Sequence, residues 1–206
     1  MNIQSHMKIN RQMVILATIR KLQFATRRHL MSVHNMGGIR NANRILGDLK
    51  PYVNKTMQGK EYVYYLNKEG HAMFGDDGKV VSRGKLAHAL LRNEAWLHLF
   101  CPDDWQIETD IRYIKNKEKM KIVPDVKFRD EENILHAVEV DRSQKMKVNE
   151  EKIKKYEEFT QIYKQKHNGK MPVIHFFTVT KYREKKLEEL AAKYDVLASV
   201  YVIEEI

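Results

Sequence analysis

Between Arg11 and His71 three stretches of helical apolar period give way to two of strand period, and that order leaves few folds open. Arg11 to Leu22 sets Met13, Leu16, Ala17, Ile19 and Leu22 largely on one face of a helix. Thr26 is a candidate N-cap for a second, short helix through Leu30 to Val33. Asn35-Met36-Gly37-Gly38 has the composition of a turn. A third helix over Ile39 to Leu49 turns Ala42, Ile45, Leu46 and Leu49 inward and Arg40, Asn41, Asn43 and Arg44 outward, and Pro51 ends it. The period then falls to two: Tyr52–Lys55 and Glu61–Leu66 read as strands around Gln58-Gly59, and Lys68-Glu69-Gly70-His71 closes the segment.

Charge is concentrated in the same stretch. Residues 1–75 carry a net +9 of the chain's +10, whereas residues 76–206 carry only +1. A basic third on a near-neutral remainder is the footprint of a module that binds an anionic polymer, with nucleic acid the first expectation. Helix, helix, glycine turn, helix and two-stranded hairpin resembles a winged helix-turn-helix, carried by Leu49-Pro51-Tyr52-Val53, Gly59, Tyr64-Tyr65-Leu66 and Gly70. That resemblance implies a third helix in the DNA major groove. Arg40, Asn41, Asn43 and Arg44 would then face base edges, since arginine suits guanine and asparagine suits adenine. Arg27, Arg28, Lys55 and Lys60 would meet phosphates, which adds affinity without sequence information.

Gly75-Asp76-Asp77-Gly78 and Ser82-Arg83-Gly84 are polar and turn-rich, placing a boundary between residues 74 and 84. Two domains are therefore expected, 8–74 and 84–206. The second begins with a helix over Lys85–Phe100. A strand over Trp105–Ile114 pairs with one over Lys119–Phe128 across an Asn116-Lys117-Glu118 tip, and a third covers Ile134–Val140. A long helix over Met146–Tyr163, a buried strand over Pro172–Thr180, a helix over Tyr182–Lys193 and a last strand over Val196–Ile203 follow. This order predicts an α/β (α+β) layered domain with a mixed five-stranded sheet.

Three carboxylates stand out in it. Pro124-Asp125 lies on the second strand, and Glu139-Val140-Asp141 ends the third. Strand alternation puts Glu139 and Asp141 on one face, and Asp125 beside them would complete a cluster that calls for a neutralising cation. Oxygen ligands of this kind suit Mg²⁺. The helix-strand-strand-strand-helix-strand order, with Pro-Asp on one strand and Glu-x-x on the next, resembles the PD-(D/E)xK nucleases and so implies a restriction-endonuclease-like α/β/α fold. The resemblance makes Asp125 and Glu139 metal ligands and Glu94 an accessory acid. Where that pattern has a catalytic lysine, this chain has Asp141; Lys127 is the first substitute, with Lys145 and Lys147 behind it. The winged helix with Pro124-Asp125 and Glu139-Val140-Asp141-Arg142 resembles the replication-relaxation family of plasmids, phages and integrative elements.

Several classes are set aside. No apolar run reaches the roughly 18 residues a membrane span needs, and the N-terminus lacks the pattern of a signal peptide. Cys101, the only cysteine, excludes an internal disulfide framework and fits a reducing cytoplasm, with the protein on plasmid or nucleoid DNA. Three functions fit: a double-stranded-DNA-binding protein of a mobile element whose nuclease-like domain is degenerate; a Mg²⁺-dependent nuclease or nickase aimed by the winged helix; or a transcriptional regulator with a C-terminal dimerisation domain. The expected partners are DNA, a second copy of the chain and a replication protein. An active centre would use Asp125, Glu139, Asp141 and Lys127.

Overall fold

The computed structural model describes residues 3–78 and 83–203; residues 79–82 of the expected boundary lie outside the described residues. The chain divides into two compact units, the first running to Leu97 and the second from His98.

The first unit begins with α1 (Ile3–Leu22), β1 (Ala25–Thr26), α2 (Arg27–Val33) and α3 (Ile39–Asp48). The hairpin β2 (Val53–Gln58) and β3 (Glu61–Leu66), then α4 (Lys68–Ala72), follow. This is the expected winged helix. β3 lies between β1 and β2, antiparallel to both. Ile15, Leu16, Ile19 and Leu22 of α1 are buried, as are Leu30, Ala42, Ile45 and Leu46 of the next two helices.

Local chemistry explains the junctions. Thr26 and His29 form a reciprocal capping box that starts α2. Gly37 has φ +65°, a left-handed conformation open to glycine. Gly59 opens the two-residue hairpin loop with φ +56°, as a type II′ turn requires. The Asn67 side chain accepts the Gly70 N–H to cap α4 and donates to the Pro51 carbonyl. Gly70 admits no side chain, because a Cβ there would lie 2.1 Å from the Tyr52 carbonyl oxygen.

Helix α5 (Leu86–His98), which composition assigns to the second domain, belongs almost wholly to the first unit. Leu86, Ala89 and Leu90 join Phe24 and Val63 in one buried cluster. Arg92 donates to the Leu22 carbonyl, and Asn93 to that of Phe24. A polar, glycine-rich stretch marks a break in the sequence pattern, but the apolar face of the next helix decides which core it joins.

The second unit holds the expected mixed five-stranded sheet, built from β4 (Gln106–Ile107), β7 (Val126–Arg129), β8 (Leu135–Asp141), β9 (Val173–Thr178) and β10 (Ala198–Val202). The spatial order is β10-β9-β8-β7-β4. The pairs β8–β9 and β9–β10 are parallel; β7–β8 and β4–β7 are antiparallel. β5 (Ile111–Lys115) and β6 (Glu118–Ile122) form a separate hairpin whose tip residues, Asn116 and Lys117, both have positive φ.

Two of the expected long strands are therefore each two strands. Trp105–Ile114 breaks around Glu108, at φ +46°, and Lys119–Phe128 breaks at Val123-Pro124-Asp125, where proline offers no ladder donor. Helices α6 (Met146–Lys166) and α7 (Lys181–Lys193) share one core with Leu135, Ala137, Ile174 and Phe176. On the opposite sheet face Phe128, His136, His175, Phe177 and Tyr201 stack, with His98 against Phe177 and Tyr201.

Candidate functional site

In the first unit, α3 presents Arg40, Asn43 and Arg44 to solvent, while Asn41 is half-buried. Asn41 is held at both ends: its Nδ2 donates to the Met36 carbonyl at 2.8 Å, and its Oδ1 accepts from Arg44 Nη2 at 2.9 Å and Nε at 3.3 Å. The Asn43 carbonyl is likewise taken, accepting from Arg27 Nη1 at 2.9 Å. On the wing, Lys55 and Lys60 are exposed, and the Lys55 ammonium lies 4.4 Å from the centre of the Tyr62 ring.

Arg28 is not a free phosphate contact. Its guanidinium forks onto Glu94, whose Oε1 is also 2.6 Å from His29 Nε2. His29 Nδ1 accepts the Thr26 N–H, so Nε2 carries the hydrogen directed at Glu94. Burial pushes the Glu94 carboxyl up, yet hydrogen bonds from His29 and Arg28 hold it below its ordinary value. Glu94, expected beside the nuclease-like centre, is thus a structural anion of the first unit.

In the second unit each of the three carboxylates is engaged. Asp125 sits in the bend before β7, and its Oδ2 accepts the Val140 N–H at 2.7 Å. Glu139, 2% exposed, points from β8 onto α6: Oε1 accepts from the Tyr156 hydroxyl at 2.7 Å and Oε2 from Lys152 Nζ at 2.5 Å. Asp141 is gripped by Arg183 of α7 through a two-point fork, 2.8 Å from Nε and 2.7 Å from Nη2, and caps Gln144 N–H at 3.2 Å.

Electrostatics bind the group together. Burial pushes the Glu139 pKa up to about 7; the Lys152 charge opposes this and Asp125 adds to it. Burial pulls the Lys152 ammonium down, but Glu139, Asp125 and Asp141 together carry it above its ordinary value. Tyr156 is pushed well up by burial and by Glu139.

Lys127, the expected substitute for the motif lysine, shares the sheet face of Glu139 but turns its ammonium to another partner. It donates to the Asp110 carbonyl at 2.7 Å and lines a cavity of about 220 Å³ with Asp110, Arg112 and Arg129. Lys145 is the N-cap of α6 and Lys147 lies in its first turn. The lysine brought to the carboxylates is Lys152, which the sequence motifs do not single out. One signal points to it: Asn149, Lys152, Tyr156 and Thr160 are polar residues recurring at helical spacing along the side of α6 that carries Ile153 and Phe159.

This arrangement does not fit Mg²⁺, which takes several open oxygens around an octahedron. Both Glu139 oxygens already serve Tyr156 and Lys152, Asp141 serves Arg183, and among the described residues no group of three side chains is placed to hold a metal ion. The expected three-carboxylate metal cluster is therefore replaced by two separate ion pairs. No described helix is long and apolar enough to cross a membrane.

The fold defines a protein with a winged-helix unit and a mixed five-stranded sheet unit, Asp125 standing just before β7 and Glu139 on the neighbouring β8. More particularly, the chain belongs to the replication-relaxation family, which it matches over residues 16–174. Similarity to solved structures is distant. Protein VC1899 from Vibrio cholerae is 13% identical at a TM-score of 0.38, over 94% of this chain and 47% of that one, so the chain spans about half its length. A repair endonuclease from Pyrococcus abyssi is 11% identical at a TM-score of 0.33, over 75% of this chain and 66% of that one. No curated protein matches the chain.

Proposed function

We propose that this is a double-stranded-DNA-binding protein of a plasmid, phage or integrative element, acting in the cytoplasm in replication or its control. One observation carries the reading: the +9 charge of residues 1–75 is organised on a winged helix whose α3 exposes Arg40, Asn43 and Arg44 and whose wing exposes Lys55 and Lys60. Arg27 supports Asn43, and Arg28 gives rigidity through Glu94. The second unit keeps a nuclease-like frame whose carboxylates serve as structural ion pairs, supported by Glu139 on Lys152 and Asp141 on Arg183. It acts as a grip, a dimerisation surface or a dock for a replication protein. A dimer would demand a two-fold symmetric site.

One agarose gel tests both halves of the proposal. The protein and its Asp125→Ala/Glu139→Ala double variant are incubated with supercoiled plasmid in Mg²⁺, in Mn²⁺ and in EDTA. Retarded, uncut plasmid in every lane is expected. Metal-dependent nicking that the double variant loses would make the second unit a nuclease with Lys152 in its centre. Unretarded plasmid at low salt would remove the DNA-binding reading.

A further inference from the structure

Resting on that DNA-binding reading, we infer that Arg44 reads a guanine in the major groove and that Asn41 is its positioning residue rather than a base reader. The argument is one of hydrogen-bond valence. A guanidinium carries five N–H donors in a rigid plane. Asn41 Oδ1 takes the side fork, Nε–H with one Nη2–H. The end fork, one N–H from each of Nη1 and Nη2, has no partner among the described residues and belongs to an exposed side chain. Two parallel donors match the O6 and N7 acceptors of guanine; adenine, with a donor at N6, mismatches one of them.

Asn41 itself is spent. Reading adenine needs an asparagine oxygen to accept from N6 and its amide nitrogen to donate to N7. The oxygen that adenine recognition needs already accepts twice from Arg44, and one of the two amide hydrogens holds the side chain to the Met36 carbonyl. The preceding turn is shaped for this. Gly37 adopts φ +65°, a left-handed conformation that lets the chain turn back so that the Met36 carbonyl meets Asn41 Nδ2. The chain from Met36 through Asn41 to Arg44 thus forms a brace anchored in backbone. Arg40, one turn earlier, makes no hydrogen bond among the described residues. Its side-chain freedom must be surrendered on docking, whereas much of that of Arg44 is already lost on folding.

The test is selection from a pool of random-sequence duplexes, followed by affinities for the selected duplex and for the same duplex with each base pair changed. The wild type should select a motif with one guanine whose replacement by adenine weakens binding by about tenfold or more. Arg44→Lys keeps the charge but not the fork. It should weaken the preference at that base pair, because an ammonium reaches O6 and N7 without the rigid plane, while keeping the salt dependence of binding to random DNA. Asn41→Asp, which still offers Arg44 an acceptor but loses the bond to the Met36 carbonyl, should recover part of the preference that Asn41→Ala erases at the same base pair.

A loss at a different, adenine position in Asn41→Ala would overturn the inference, and so would an Arg44→Lys protein with unchanged guanine preference. If Asn41→Ala fails to fold by thermal melting, Arg44→Lys and Asn41→Asp carry the decision. A wild type that binds no duplex at all would sink the DNA-binding reading itself, which these arms distinguish from a misassigned reader.

Discussion

Replacing Glu139 by glutamine should expose what it costs to hold a carboxylate inside the second unit. The substitution keeps the shape and keeps an oxygen for the Tyr156 hydroxyl, but removes the charge that faces Lys152. In the folded protein burial raises the Glu139 pKa to about 7, against an ordinary value of 4.5. The folded state therefore holds this proton more tightly than the unfolded chain does. The resulting stability is fully present below the lower value and is lost as pH rises through the higher one. At about 1.4 kcal/mol per pH unit the gap is worth about 3 kcal/mol, of which roughly 2.5 kcal/mol falls between about pH 5 and about pH 8.

His175 pulls the other way. Burial lowers its pKa to about 4, with His136 and His98 adding to the effect, so its contribution is lost as pH falls from 6.5 through that value. The wild-type curve alone mixes the two slopes, whereas the difference between wild type and variant isolates Glu139. Urea unfolding followed by Trp105 emission in a Trp96→Phe background reads the second unit alone, since Trp96 lies in the first. The wild type should gain on Glu139→Gln by about 2.5 kcal/mol on going from the higher pH to the lower. Curves that stay parallel within about 0.5 kcal/mol would refute the idea that burial dominates this carboxyl.

Three further outcomes follow from the same geometry. Arg183→Ala leaves Asp141, 1% exposed, without its fork and should cost about 3–5 kcal/mol of second-unit stability in urea unfolding; Arg183→Lys should recover only part, because a single ammonium nitrogen lacks the planar two-nitrogen fork. Gly70→Ala pushes a methyl group against the Tyr52 carbonyl and should cost about 1–3 kcal/mol, while Gly47→Ala, with nothing within 4 Å, should be neutral or stabilise α3 by up to about 1 kcal/mol; differential thermal melting of the two checks this. Lys55→Ala should weaken binding to every duplex alike and lower the slope of log affinity against log salt by about one, as read by fluorescence anisotropy across a salt series.

The winged helix was legible because its instructions are local. Thr26 finds its capping partner three residues away, Gly59 sits inside its own turn, and Asn67 caps a helix that begins at the next residue. The five-stranded mixed sheet was legible as a class, yet Trp105–Ile114 and Lys119–Phe128 were each read as one strand. Alternation records which residues face a core, and it is silent on where a strand leaves one partner for another. The base-edge candidates on α3 were found by helical period, but the pairing of Asn41 with Arg44 and of Asn43 with Arg27 was not. Those bonds depend on rotamers and on a neighbouring helix.

What the sequence by itself determined is the helices and the class of the sheet, the basic character of the first seventy-five residues, and two acids, Asp125 and Glu139, as candidates for one site. These follow from periodicity, composition and the alternation of side chains, which need no knowledge of partners. The tertiary structure decided which core α5 joins, which of many lysines meets Glu139, and that Asp141 meets Arg183. An amphipathic helix specifies only that one face must be covered. The crossing of α6 and α7 over β8 selects Lys152 and Arg183, because a buried carboxylate is tolerable only where that packing delivers a cation.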